Sequence, residues 1–218
     1  TWANIYIDNT SISGQVSSGG DTPSICTLIE GGLEQVSLKN TGISGSLEPC
    51  MFASDSSSLQ ILQASNTQVS DLSSTLSEAP SLRSLNIQNA SLSGTIEALP
   101  PFLAEFQVSE NNLTGSLPAP QETAVLYDVS GNGFDGEVPE EFVDHPILRV
   151  VSISKNQLNG IPSNWMSTTW RPENNGPLKY VYLSSNPLGG GFPAGLAFYE
   201  NVTGVYASNT GITGPLPD

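Results

Sequence analysis

Apolar residues recur along this chain in one fixed frame. From Leu33 the sequence reads L-x-x-V-x-L-x-x-T-x-I-x-G-x-L, and from Leu103 it reads L-x-x-F-x-V-x-x-N-x-L-x-G-x-L-P. Leu178 opens L-x-x-V-x-L-x-x-N-x-L-x-G-x-F-P. The hydrophobe two residues before the glycine position marks nine copies: Ile12, Ile43, Val69, Leu92, Leu113, Phe134, Leu158, Leu188 and Ile212. Successive markers lie 21 to 31 residues apart. Every insertion falls between one L-x-G-x-x-P segment and the next L-x-x-L, as expected of stacked coils with one tolerant outer face. The L-x-L alternation predicts a short strand with both apolar side chains turned inward. A coil of this size cannot bury that face alone, so each strand is expected to pair in parallel with that of the next copy.

The clearest copies are Leu103–Pro118, Ala124–Pro139 and Leu178–Pro193. The copy from Leu148 is one residue short after its glycine, and the copy from Leu59 has Asp71 where the glycine belongs. From Trp2 to Pro217 the pattern resembles the plant-type leucine-rich repeat, L-x-x-L-x-L-x-x-N-x-L-x-G-x-I-P. The resemblance implies an α/β solenoid: a right-handed superhelix of about nine repeats, with a parallel β-sheet on the concave face and a mostly irregular convex face. It implies a single domain over residues 1–218, part of a longer or self-stacking array, with the L-x-G-x-x-P stretch as a second strand. A parallel β-helix, the competing architecture, would not explain the fixed N-x-L-x-G-x-x-P stretch. The asparagine position reads Thr10, Thr41, Thr67, Ala90, Asn111, Asn132, Asn156, Asn186 and Thr210. An asparagine there can bond backbone groups at the turn leaving the strand, and threonine supplies a weaker hydroxyl version. Ala90 can do neither, so that rung is expected to be poor.

Three outward columns follow from the frame. The first is Tyr6, Ser37, Gln63, Asn86, Gln107, Asp128, Ser152, Tyr182, Tyr206; the second is nearly a serine ladder ending Ser109, Ser130, Ser154, Ser184, Ser208. The third runs Asn9, Asn40, Asn66, Asn89, Glu110, Gly131, Lys155, Ser185, Asn209. Protein-recognising faces are usually anchored by aromatic and Arg side chains. Here aromatic anchors gather only near the C-terminal end: Tyr180, Tyr182 and Tyr206, with Trp165 and Trp170 in the preceding insertion. Two readings stand side by side, ordinary β-propensity on exposed strands or a small peptide- or sugar-binding patch.

The net charge is −15, from 21 acids and six bases, which disfavours nucleic acid and anionic lipid as partners. Polarity comes mainly from hydroxyls and amides, as is common in secreted proteins. Sequons at Asn9, Asn89, Asn112 and Asn201 point to covalently attached glycans and an extracellular or cell-surface location. Cys26 and Cys50 are expected to form one disulfide between adjacent outer segments, in an oxidising compartment. Two cysteines and one histidine do not make a metal site; His145, on an outer loop, reads as a surface residue. No cofactor is expected, and no nucleophile elbow, phosphate loop or H-E-x-x-H motif suggests an enzyme.

The sequence shows neither a signal peptide nor a transmembrane run, and no paired-cysteine cap, so the segment itself is not expected to insert in a membrane. It is expected to be a fragment of a longer array or to stack end to end, with Tyr182 and Tyr206 lining up with the Tyr6 of the next copy. Glycans on Asn9 and Asn89 would cover part of the concave face. The sequence reading therefore favours a structural glycoprotein, a surface coat or fibre component self-associating through its ends. The alternative is a recognition module, receptor-ectodomain-like or wall-inhibitor-like, that binds an extracellular peptide, protein or carbohydrate near Tyr182 and Tyr206. Ice binding is disfavoured because coils of 21 to 31 residues make a flat regular array improbable.

Overall fold

The computed structural model describes residues 3–16, 25–52, 57–72, 74–167, 169, 171–172 and 176–216, without the side chains of Cys26 and Thr27. Among the described residues, nine three-residue strands pair in parallel in strict chain order: Asn4–Tyr6, Gln35–Ser37, Ile61–Gln63, Ser84–Asn86, Glu105–Gln107, Leu126–Asp128, Val150–Ser152, Tyr180–Tyr182 and Gly204–Tyr206. Their middle residues form one in-register line, Ile5, Val36, Leu62, Leu85, Phe106, Tyr127, Val151, Val181, Val205. Two residues on, Leu38, Ala64, Ile87, Val108, Val129, Ile153 and Leu183 point the same way and are buried. These two lines and the repeat leucines form a single strip of core along the solenoid. The nine copies read from the sequence are thus nine coils.

The L-x-G-x-x-P segments do form second strands, in two parallel sheets rather than one. Ser13–Gln15, Gly42–Ser46 and Gln68–Asp71 make the first; Ser93–Gly94, Asn112–Ser116, Gly133–Glu137 and Gln157–Gly160 make the second. The break follows Asp71. Gly45, Gly115 and Gly136 take φ of 93°, 82° and 77°, a conformation costly for any residue with a Cβ. Asp71 does not adopt it, and the register slips between Gly45 and Ser46 where its strand pairs. The shortened copy behaves similarly: a slip opposite Gly136 and Glu137 skips Asn159.

The convex side carries short helical turns: Ile25–Glu30, Pro49–Met51, Leu76–Glu78, Glu140–Phe142, Ser163–Met166 and Ala194–Phe198. Each of the last five drops one large side chain onto the core strip, namely Met51, Leu76, Phe142, Trp165 and Leu196. Trp165 is therefore no part of an exposed aromatic patch, since it is fully buried. Trp170 lies outside the described residues.

The turn after each strand has two linked features. Its first residue is left-handed in every coil: Asn9, Asn40, Asn66, Asn89, Glu110, Lys155, Ser185 and Asn209 at φ of 49° to 60°, with Gly131 at 68°. Asparagine tolerates this region better than most residues, which explains its recurrence in the outermost column. The next residue closes the turn. Thr10, Thr41, Thr67 and Thr210 each donate to the carbonyl three residues back, at 2.7–2.8 Å. Asn132, Asn156 and Asn186 do the same and also donate to the equivalent carbonyl of the preceding coil, at 2.9–3.1 Å.

The rung at Ala90 is not left poor. Asn111 of the next coil donates to Ile87 O at 2.7 Å and accepts from the Ala90 and Leu92 amides at 3.2 and 3.0 Å. The longer reach of asparagine across the coil boundary supplies what alanine cannot.

Candidate recognition surface

The concave sheet presents a further outward column that the frame alone did not single out: Asn4, Gln35, Ile61, Ser84, Glu105, Leu126, Val150, Tyr180, Gly204. The face divides along its length. Over the first six coils polar side chains are tied to one another. Ser37 Oγ donates to Asp8 at 2.6 Å, Ser65 Oγ to Asn86 at 2.6 Å, and Ser84 Oγ to Glu105 at 2.9 Å. Asn86 and Gln88 both donate to Gln107 Oε1, at 2.9 and 2.7 Å, and Ser130 Oγ donates to Asp128 at 2.7 Å. At the rim the carboxamides of Asn9, Asn40, Asn66 and Asn89 link in a ladder with three 2.7 Å bonds. A neighbouring rim contact skips a coil: Lys155 Nζ reaches Glu110 at 2.9 Å. Glu110 lies across Gly131, where a Cβ would stand 2.7 Å from the carboxylate carbon and push that flexible side chain aside.

The last three coils differ. Among the described residues, their concave side chains make no hydrogen bond to one another. Instead Tyr182 and Tyr206 stack at 4.6 Å between centroids, with planes 7° apart, and Tyr180 joins at 6.2 Å. The 4.6 Å matches the spacing of adjacent strands, so the rings stand edge-up from the sheet. Gly204 opens the space beside them, since a Cβ there would meet the Tyr206 ring at 2.8 Å. Tyr206 is 47 % exposed beside the small side chains of Ser184 and Ser208. Three of the four tyrosines picked out from sequence are thus brought together. Tyr6, 61 % exposed, lies on the strand at the opposite end of the sheet, its hydroxyl bonded to Gln35. Leu126 and Val150 extend the tyrosine column as a half-buried apolar strip. The signal for them was present in the sequence, in the variable position just before the first inward strand residue.

His145 is buried, with 7 % exposure, and not on the surface as its loop position suggested. Its Nε2 bonds Gln121 O at 2.7 Å, while Nδ1 accepts from the Leu148 amide at 3.1 Å. One nitrogen must donate and the other accept, so the ring fits only as the neutral tautomer. Burial lowers its pKa, against smaller opposing effects of the Gln121 carbonyl and the Glu122 charge. The sign follows from linkage. Below about pH 6.5 the unfolded chain takes up a proton that the folded chain resists, so this contribution is complete above that pH and lost as pH falls toward the lower folded value. The stability gap between wild type and His145→Gln, measured by urea unfolding, is expected to shrink from pH 7.5 to pH 5; a constant gap would contradict the assignment.

Among the described residues no group of acids, cysteine and histidine is placed to hold a metal, and no helix is long and apolar enough to cross a membrane. Asn112 projects from a second strand, exposed, and the Asn201 side-chain Nδ2 donates to Gly176 O at 3.0 Å.

A family model described as Leucine Rich Repeat matches residues 177–198, the coil that carries Tyr180 and Tyr182. Receptor-like protein 7 of Arabidopsis thaliana is 30 % identical over 144 residues, 64 % of this chain and 14 % of that protein, so the chain spans about a seventh of that curated relative. Among solved structures, PEPR1–AtPEP1 superposes with a TM-score of 0.80 at 22 % identity, covering 99 % of this chain and 29 % of that one. The Arabidopsis receptor kinase HAESA, solved with the peptide hormone IDA and the co-receptor SERK1, gives 0.76 at 24 % identity, over 93 % and 33 %. A plant ice-binding protein gives 0.69 at 21 % identity, over 95 % and 64 %. At such identities the neighbours attest the fold, and their differing roles show that the fold alone assigns none. With nine in-register coils, the inter-coil asparagine bonds and these likenesses in agreement, the chain has the fold and repeat pattern of plant-type leucine-rich-repeat proteins.

Proposed function

We propose that this chain is a recognition segment of an extracellular or cell-surface protein and binds an extended peptide on the concave face at Tyr180, Tyr182 and Tyr206. The observation that carries this is the contrast along the sheet. Six coils engage their polar side chains with one another, whereas the last three offer stacked, solvent-reaching aromatic rings among small serines. Clustered tyrosines supply contact area at low entropic cost. A peptide fits better than a sugar because the ring faces are largely spent on one another, leaving edges and hydroxyls for the ligand. Solved neighbour structures with a peptide hormone ligand support the same choice. These relatives favour recognition over the coat or fibre expected from sequence.

Peptides selected from a displayed random library on the wild-type chain test this reading. Tyr206→Ala is expected to weaken them about thirtyfold, the size of an aromatic hot spot, while Tyr6→Ala leaves them unchanged. Selected peptides that bind Tyr206→Ala as well as wild type would overturn it. The same proposal includes glycans on Asn9, Asn89, Asn112 and Asn201 and a Cys26–Cys50 bridge, whose Cys26 side chain lies outside the described residues. Mass spectrometry of secreted protein checks both; free thiols would refute the bridge.

A further inference from the structure

We infer that the peptide is acidic, with a side-chain carboxylate seated between Arg149 and Lys179 beside Tyr180. This rests on the proposal above that a peptide occupies the tyrosine patch. The charge of the chain is unevenly placed. Residues 1–144 hold 18 of the 21 acids and two of the six bases; residues 145–218 hold three acids and four bases. Two of those bases, Arg149 and Lys179, sit at the same position of adjacent coils, just before the strands Val150–Ser152 and Tyr180–Tyr182. Their backbones are directly paired, the Lys179 and Tyr180 amides both donating to Arg149 O at 2.8 and 3.1 Å. Both side chains are exposed, and neither makes an ion pair among the described residues.

Like charges at paired positions of adjacent strands repel weakly in water, and an anion shared between them relieves that repulsion. Along the two nearest columns, from Val125 and Leu126 through Thr203 and Gly204, there is no acid to serve. By contrast Lys39 is matched with Asp8 at 3.7 Å and Lys155 with Glu110 at 2.9 Å. A chain of net charge −15 that leaves two adjacent cations open beside its solvent-reaching tyrosine stack is complementary to an acidic ligand there. The acid-rich first coils would repel the same ligand, which confines it to the end that carries the tyrosines.

The selected peptides are resynthesised with acetylated and amidated ends, in versions carrying Glu, Gln or Lys at each acidic position. The Glu version is expected to bind about tenfold tighter than the Gln version, with the Lys version weakest, and the difference should shrink as salt rises. The double variant Arg149→Gln/Lys179→Gln is expected to abolish the Glu-over-Gln preference without weakening the Gln version; Lys39→Gln serves as control and should leave the preference intact. Peptides that need Tyr206 yet show no Glu preference would overturn this inference and leave peptide recognition standing. Binding only to peptides with a free terminal carboxylate would also overturn it, since the anion would then be the chain end. If the library yields no binder, both fall.

Discussion

Asn111→Ala is expected to destabilise the protein by about 3–5 kcal/mol, far more than the about 1 kcal/mol expected for Thr67→Ala. Both positions are buried and occupy the same place in the repeat. Thr67 serves the Ala64 carbonyl of its own coil at 2.7 Å and lightly accepts from Val69. Asn111 serves two coils, donating to Val108 O at 3.0 Å and Ile87 O at 2.7 Å while accepting from Leu92 N at 3.0 Å. Because residue 90 is alanine, no side chain of its own coil can take over the bond to Ile87 O. Removing Asn111 leaves several buried backbone groups unpaired at once, and each such orphan costs roughly 1–3 kcal/mol where water cannot reach it. Urea unfolding is the measurement. The second arm is Ala90→Thr in the Asn111→Ala background, which places a hydroxyl beside Ile87 O as Thr41 does beside Leu38 O. Partial rescue there, absent or smaller in the wild-type background, is expected of coupled neighbours. A loss at Asn111 no larger than that at Thr67 would show that the inter-coil bonds contribute little.

Trp165→Ala is expected to lose about 3–5 kcal/mol, the range for removing a fully buried aromatic. The ring hangs from Ser163–Met166 into the core, and its Nε1 donates to Tyr199 Oη at 3.2 Å. Room for this comes from the next coil: at Gly195 a Cβ would stand 2.2 Å from Asn164 O, so only glycine allows the two outer turns to approach so closely. Trp165→Phe keeps most of the buried area and loses the hydrogen bond, and is expected to cost about 1–3 kcal/mol. Coils interact mainly with their neighbours, so the damage should centre on the last three coils and weaken peptide binding as well. Hydrogen exchange mapped along the chain reads this directly; uniform loss of protection over all coils would contradict it.

The repeat was legible because burial imposes it. A coil of about two dozen residues can hide its apolar face only against the next coil, so Leu38, Val108 and Leu183 recur in phase and are read without knowing any structure. The number of strands, their parallel order, the second strands and the column holding Tyr182 and Tyr206 all follow from that phase. The irregular glycine positions were visible too, though the break in the second sheet after Asp71 and the slip past Asn159 appear only when the strands are paired.

What escaped the sequence depends on neighbouring coils or on outer loops that carry no period. Ala90 looked deficient because the frame treats each coil separately, while Asn111 reaches across the boundary. His145 and Trp165 sit in insertions, where spacing says nothing about direction; three-dimensional packing turned one into a buried neutral hydrogen-bonding ring and the other into core. Arg149 and Lys179 are 30 positions apart in the chain and become neighbours only because their strands pair in register. The sequence by itself determined the coil, since one-dimensional periodicity is the direct imprint of burial. The tertiary structure decided which side chains of different coils meet, since insertions of unequal length make that register a property of the packed solenoid.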